Sequence, residues 1–399
     1  MSDPFADLHE TLFADKDVLS EDYQPESILE RDDEIKEYRH ALSDVLFGRS
    51  PENIMLYGKA GLGKTAVTKY MMDALVENAA TREEADELHV HERNCNGKTL
   101  FTIVRGLVND LLPPEASSFP KRGLGTADAF EELYAQLDNH GGTHLIVLDE
   151  IDHLEDADTL LYELPRARSN GHIETAHVGL IGISNNYTFR EQLSPKVKDT
   201  LMETEISFSP YNAIELQTIL ENRAEKAFVD GGYDKSAINK AAAFAARDVG
   251  NARQAIDLLR VGGEVAEKRR AECVTDTDIE EARTKVKRGR LENRIRDQTE
   301  HAQYILQAVA ILESDDKTPA RSKQIQGMYE AVATRCGADP LTTLKSIQDH
   351  LSELHMLGFL QRFERNEGRG GGQYHEHALD LDPEVVIEIR KQIESERGE

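Results

Sequence analysis

Gly58-Lys59-Ala60-Gly61-Leu62-Gly63-Lys64-Thr65 is a complete G-x-x-x-x-G-K-[ST] pattern. Such a loop turns successive backbone N–H groups toward phosphate oxygens, and its glycines allow close approach and left-handed torsions. The pattern assigns Lys64 to the β- and γ-phosphates and the Thr65 hydroxyl to Mg²⁺. Residues Gly58 to Ala66 are therefore the expected contact for ATP or ADP. A chance match in a turn is the bland alternative, and the flanks argue against it. Asn53-Ile54-Met55-Leu56-Tyr57 is a short apolar strand. From Lys64 to about Asn78 the chain reads as a helix, with Val67, Met71, Leu75 and Val76 on one face. The helix N-terminus adds its partial positive charge to the site.

Outward from the loop, Thr143-His144-Leu145-Ile146-Val147-Leu148-Asp149 is a continuous apolar run ending in an acid, followed by Glu150-Ile151-Asp152. This is the signature of a buried parallel strand in an α/β sheet, whose ligands sit at strand carboxyl ends. Asp149 is placed to hold Mg²⁺ directly or through water, and Glu150 to polarise the attacking water. The run from Val178 to Ile183 ends at Ser184-Asn185-Asn186. An amide both donates and accepts, so Asn185 can orient that water, although a turn-forming Asn reads the same way. Gly250-Asn251-Ala252-Arg253 opens a further helix, with Arg253 positioned to reach nucleotide phosphates or simply to face solvent.

The chain has 399 residues, enough for two or three domains, with 74 acidic residues, 19 Lys and 28 Arg for a net charge of −27. Such a surface repels itself at low salt, and in molar salt the Debye length shrinks to about 3 Å. The Lys-poor, acid-rich composition points to a salt-loving microbe of archaeal kind, with an ordinary acidic protein as the alternative. Cys95, Cys273 and Cys336 are dispersed and odd in number, which implies neither a disulfide framework nor a zinc site. The start lacks the charged and apolar regions of a signal peptide, and no run approaches the ~18 apolar residues of a membrane span. A cytoplasmic, nucleoid-associated protein without membrane partners is expected.

These motifs resemble the AAA+ initiators of the archaeal and eukaryotic origin recognition complex and cell division control protein 6 family, from about Leu12 to Glu388. Leu148-Asp149-Glu150-Ile151-Asp152 resembles the family's Walker B, Ile183-Ser184-Asn185 its sensor 1, Phe208-Ser209-Pro210-Tyr211 the start of its lid, and Gly250-Asn251-Ala252-Arg253 its sensor 2. The resemblance implies that Glu150, Asn185 and Arg253 support hydrolysis. It also implies that Tyr23, Pro25 and Arg31 lie near the adenine, with Tyr211 beside the nucleotide. The family's partners are double-stranded origin DNA, the mini-chromosome maintenance helicase and other initiator paralogues. One departure is Val197-Lys198-Asp199-Thr200-Leu201, where many AAA+ proteins offer an arginine finger; the nearest arginine is Arg190. A trans-acting arginine raises hydrolysis by roughly 10³–10⁵, so slow, switch-like turnover is expected.

Around this nucleotide domain the chain reads as an α/β AAA+ base at 1–207, a helical lid with basic linker at 208–296, and a winged helix at 297–399. An insertion at about 98–137 matches the family's initiator-specific motif and carries Lys121 and Arg122 toward DNA, or forms a plain surface loop. Between Arg283 and Arg296 stand seven basic residues and one acid, Glu292. A charge run is usually a solvated face, but this one interrupts an acidic chain, which favours phosphate contact. Three helices, at about 301–313, 321–335 and 341–357, then lead into a strand at 358–363 and a Gly-rich hairpin tip. In a winged helix the third helix enters the major groove, here exposing Thr342, Thr343, Lys345 and Ser346. Arg362, Arg365 and Arg369 put the wing on phosphates or in the minor groove. The competing functional readings are a nucleotide-gated regulator or plasmid or secondary-origin paralogue, and an ATP-driven DNA remodeller.

Overall fold

The computed structural model describes residues 11–366 and 373–397, and the chain divides after Ala282 into two compact units. The first is built on a five-stranded parallel sheet in the order β2-β3-β4-β1-β5. Its strands are β1 (Ile54–Tyr57), β2 (Leu88–Asn94), β3 (Thr143–Asp149), β4 (His177–Ser184) and β5 (Thr204–Ser207). β1 is buried throughout and β3 until Asp149, as continuous apolar runs require when both faces are covered. Register brings the strand ends together: Asn94 pairs with Asp149, and Tyr57 with both Ser184 and Ser207.

The helix after the loop spans Lys64–Ala79 and buries Val67, Met71 and Leu75. Val76 is off that face and 40% exposed. Nine residues after Val67 is half a turn out of phase, so grouping it with the core stripe was incorrect. Helices Leu100–Leu111 and Thr126–His140 pack on each other and join the core of the sheet's flank. Four helices, Ala213–Ala227, Lys235–Asp248, Ala252–Lys268 and Asp276–Arg296, follow the sheet. Asn212 and Glu215 close a capping box at the first of them. The N-terminal segment is fastened to these helices: Phe13 stacks on Phe228 at 4.8 Å, and Ala14 N–H donates to Ala227 O at 2.8 Å.

A stack of imidazoles crosses the β2–β3 pair. His144 lies 4.8 Å from His89 and 5.4 Å from His91 between ring centroids, with His91 Nε2 and His144 Nδ1 3.1 Å apart. Burial pushes His91 down to about 4 and His144 to about 3, and Asp110 beside His91 only partly offsets this. Both rings are neutral at pH 7, whereas in the unfolded chain they take up protons near the ordinary value of about 6.5. The unfolded state binds more protons between these values, so this contribution is full above about pH 6.5 and is lost as pH falls toward 4. Thermal melts at fixed ionic strength are expected to show Tm falling by several degrees from about pH 7 to about pH 5. A His91→Gln, His144→Asn double variant should flatten that part of the profile; an unchanged slope contradicts the assignment.

In the second unit, helix Glu300–Ser314 is buried almost all round, as the central helix of a small core must be. Helices Ser322–Arg335, Leu344–Met356 and Pro383–Arg397 pack around it. Strands β6 (Ala320–Arg321), β7 (Leu360–Asn366) and β8 (Gln373–Leu379) form an antiparallel sheet in the order β6-β8-β7. β7 starts at Leu360 rather than Gly358, because Gly358 at φ +72 ends the preceding helix. β6 and the last helix were absent from the sequence reading.

Candidate nucleotide site and nucleic-acid interface

The loop sits where the strand ends converge. Gly63 at φ +88 caps the Lys64–Ala79 helix, a torsion that favours glycine. Lys64 is 4% exposed, and its ammonium donates to Gly58 O at 2.5 Å, Lys59 O at 3.0 Å and Asn185 Oδ1 at 2.9 Å. No carboxylate among the described residues forms an ion pair with it. Burial pulls Lys64 down to about 8 despite the acids Asp149 and Asp152 nearby. A buried cation held only by neutral oxygens is a site for an anion.

Thr65 Oγ1 donates to Asp149 Oδ2 at 2.9 Å. This hydroxyl–carboxylate pair suits Mg²⁺, which takes few protein oxygens and keeps positions for phosphates and water. Glu150 stands next to it with left-handed backbone (φ 54, ψ 40), a strained setting for a non-glycine residue. Its carboxylate accepts from Asn94 Nδ2 at 3.4 Å. Asn185 is oriented by its backbone N–H, which donates to Asp152 Oδ1 at 3.2 Å. Loop, Asp149, Glu150 and Asn185 thus meet in one place.

They line a cleft of about 800 Å³ together with Ala60, Gly61, Gly63, Ala66, the N-terminal segment and the helices beyond the sheet. Tyr23, Pro25, Tyr211 and Arg253 all line it, and Gln24 Nε2 donates to Ala66 O at 3.0 Å. Arg253 is more than half exposed and lies 3.9 Å from Glu21. Three expected contacts are elsewhere. The Leu62 side chain is fully buried and turned inward, leaving only its backbone N–H to serve a phosphate, Gly58 backs onto Phe208, and the Lys59 side chain is exposed outside the cleft.

Arg31 is likewise behind the cleft rather than in it. It is 4% exposed, donates to Glu34 at 2.8 Å, Leu62 O at 3.1 Å and Ser209 O at 2.8 Å, and stacks on Tyr211 at 3.7 Å. A guanidinium with this many buried acceptors has no reach left for a base, so its placement near the adenine is corrected to a clamp between loop and lid entry. Arg31→Ala is expected to cost roughly 2–4 kcal/mol in denaturant unfolding, since the acceptors lose a charged donor. Arg31→Lys should recover only part, because an ammonium cannot fork; a full recovery contradicts the clamp.

One cleft residue, Arg223, and one residue that holds the loop beside it, Asn251, are not among the site residues expected from the sequence. Arg223 stacks over Tyr23 at 4.3 Å and donates to Val18 O at 3.0 Å, and nothing in an amphipathic helix marks it. Asn251 caps the Ala252–Lys268 helix and also donates to Ala60 O at 2.9 Å. Its signal was present, as an N-cap residue directly before Arg253. Arg190 is held within the chain, 2.6 Å from Glu203 and 2.9 Å from Glu205.

The expected nucleic-acid contacts fall in both units. Lys121 and Arg122 are exposed in the loop between the insertion helices, which is tied down by Arg105 to Phe119 O at 2.9 Å. In the second unit Thr342, Thr343 and Lys345 are exposed at the start of Leu344–Met356. Thr343 is the cap of that helix, its hydroxyl 2.7 Å from that of the half-buried Ser346, and Lys345 pairs with Asp349 at 2.6 Å. Arg362 is exposed on β7, and Arg365 pairs across the hairpin with Glu376 at 2.9 Å. Arg369 lies outside the described residues. In the basic run, Arg288 and Arg296 pair with Glu388 at 2.9 Å and Glu396 at 2.7 Å, and Arg294 covers Phe359 at 4.5 Å. These three cations therefore serve packing within their unit, which weakens the reading of the run as a phosphate contact.

Comparison with known proteins supplies the family. A model of the AAA ATPase domain matches residues 27–175, one of the Cdc6 AAA+ ATPase-type lid domain residues 217–284, and one of the CDC6 C-terminal winged helix domain residues 293–389. ORC1-type DNA replication protein 8 of Halobacterium salinarum is 49% identical over 389 residues, 97% of this chain and 98% of that one. ORC1-type DNA replication protein 11 of Haloarcula marismortui is 44% identical over 377 residues, 94% and 90% of the two chains. The Aeropyrum pernix ORC1 protein, solved in complex with DNA, superposes with a TM-score of 0.81 at 33% identity, covering 96% of this chain and 98% of that one. With sheet, lid and winged helix in this order and relatives matched along nearly their whole length, the chain belongs to the ORC1/Cdc6 family of AAA+ ATPases.

Proposed function

We propose that the protein is an ATP-dependent replication initiator that binds double-stranded origin DNA and recruits the mini-chromosome maintenance helicase. The observation that carries this reading is the full-length likeness to ORC1-type replication proteins, joined to a buried, uncompensated Lys64 in the phosphate loop. Mg²⁺ held by Thr65 and Asp149 supplies charge neutralisation on the phosphates. Lys64 supplies the fixed positive charge, Glu150 accepts the proton of the attacking water, and Asn185 orients that water. Arg253 reaches the phosphates from the lid, while Tyr23, Pro25 and Tyr211 wall the base side. With Arg190 engaged by Glu203 and Glu205, no finger is presented from this stretch, and turnover is slow and switch-like.

DNA is gripped by the winged helix through Thr342, Lys345 and Arg362, with Lys121 and Arg122 from the insertion. Lys345 is already paired with Asp349, and residues 301–399 hold 11 basic against 17 acidic residues. Affinity therefore leans on base contact and DNA bending more than on charge. A salt titration on origin DNA is expected to give a log–log slope of about −3, against about −10 for lac repressor. A slope as steep as the repressor's contradicts this mode of binding. Absence of any preference for origin over random duplex contradicts the initiator reading and favours the nucleotide-gated regulator.

A further inference from the structure

The phosphate loop is held from its outer side by the first turn of a lid helix. Asn251 Nδ2 donates to Ala60 O at 2.9 Å, and Ala252 N–H donates to Gly61 O at 3.1 Å. In a planar trans peptide the C=O and N–H of one unit point in opposite directions. Pinning the carbonyl of Ala60 therefore aims the N–H of Gly61 away from the lid helix, and pinning that of Gly61 does the same for Leu62. Neither N–H donates to another backbone group among the described residues. They are the donors that a phosphate-binding loop must present.

Asn251 is suited to this by having both a donor and an acceptor. Its Oδ1 accepts from Gln254 N at 3.1 Å and caps its own helix, while its NH₂ serves the loop. The approach is close enough that a Cβ at position 61 would lie 2.0 Å from Asn251 Oδ1, and Gly61 also has φ +78. Only glycine fits there.

We infer that Asn251 is a positioning residue for nucleotide binding: it sets the direction of the loop's amides, so that the lid shapes the phosphate site through the loop as well as through Arg253. This rests on the nucleotide-binding reading above. Asn251 touches no phosphate itself, and its effect is confined to ligands that carry one.

Asn251→Ser separates the two roles, because serine caps a helix as well as asparagine does but is too short to reach Ala60. The full-length protein and the variant are compared by calorimetric titration with ADP and with adenosine, and by thermal melting, at high salt. The expected result is an unchanged Tm, about tenfold weaker ADP binding, as for loss of one orienting hydrogen bond, and unchanged adenosine affinity. Asn251→Ala, which loses cap and latch together, should weaken ADP binding at least as much and also lower Tm. ADP affinity within about twofold of wild type in Asn251→Ser overturns the inference, as does an equal loss for adenosine, which would mark a general effect on the lid. Failure of the wild-type protein itself to bind ADP would instead overturn the nucleotide reading.

Discussion

Lys64→Ala is expected to abolish tight nucleotide binding, with ATP and ADP affinity falling by about 10²–10³-fold. The size follows from burial. The ammonium is 4% exposed and directed by Gly58 O, Lys59 O and Asn185, so its charge is poorly screened and its geometry is already set. Removing it leaves the phosphates beside Asp149 and Glu150 without the fixed, buried positive charge of the loop. Lys64→Arg should not rescue, because the pocket is built for a single point charge rather than a planar fork. A second consequence concerns pH. Burial sets Lys64 at about 8 in the free protein, and a bound phosphate raises it. The bound state then holds more protons, so affinity is steady below about pH 8 and declines above it. Equilibrium titrations with a fluorescent nucleotide check both effects. Unchanged affinity in Lys64→Ala contradicts the loop assignment.

Glu150→Gln should separate binding from turnover. The amide keeps the size of the side chain and a hydrogen bond to Asn94 but cannot accept the proton of water. Loss of a general base lowers turnover by about 10²–10⁴-fold. Nucleotide affinity should stay within about threefold, since Glu150 is placed toward the water rather than the phosphates. Single-turnover hydrolysis and a binding titration on the same preparation read the two quantities. Equal losses in both assign Glu150 to binding instead.

Much of this site was legible because it is local. The phosphate loop is contiguous, and apolar strands ending in Asp149-Glu150 and Ser184-Asn185 announce both their burial and the face on which they end. Parallel pairing then aligns Asn94 with Asp149, which no short stretch of sequence states. Arg31 shows the limit. Its partner Ser209 is 178 residues away, so its conversion from an expected base contact to a buried clamp depends on tertiary packing alone. Lys345 and Arg365 were read as DNA contacts from charge, yet each has an acid within pairing distance on its own element or its neighbour. β6 is two residues long and exists only by pairing with β8, which leaves no periodicity to find. The Pro383–Arg397 helix differs: Val386, Ile389 and Ile393 are buried at helical spacing, a signal that the surrounding charges obscured.

The central claim is initiation at origins, and a genome-wide map of the protein's occupancy in growing cells, overlaid on replication start sites, tests it most directly. Discrete peaks coinciding with replication starts are predicted, and they would also supply the recognised sequence. Peaks confined to promoters or mobile elements, away from every replication start, would contradict the initiator and establish a DNA-binding regulator in its place.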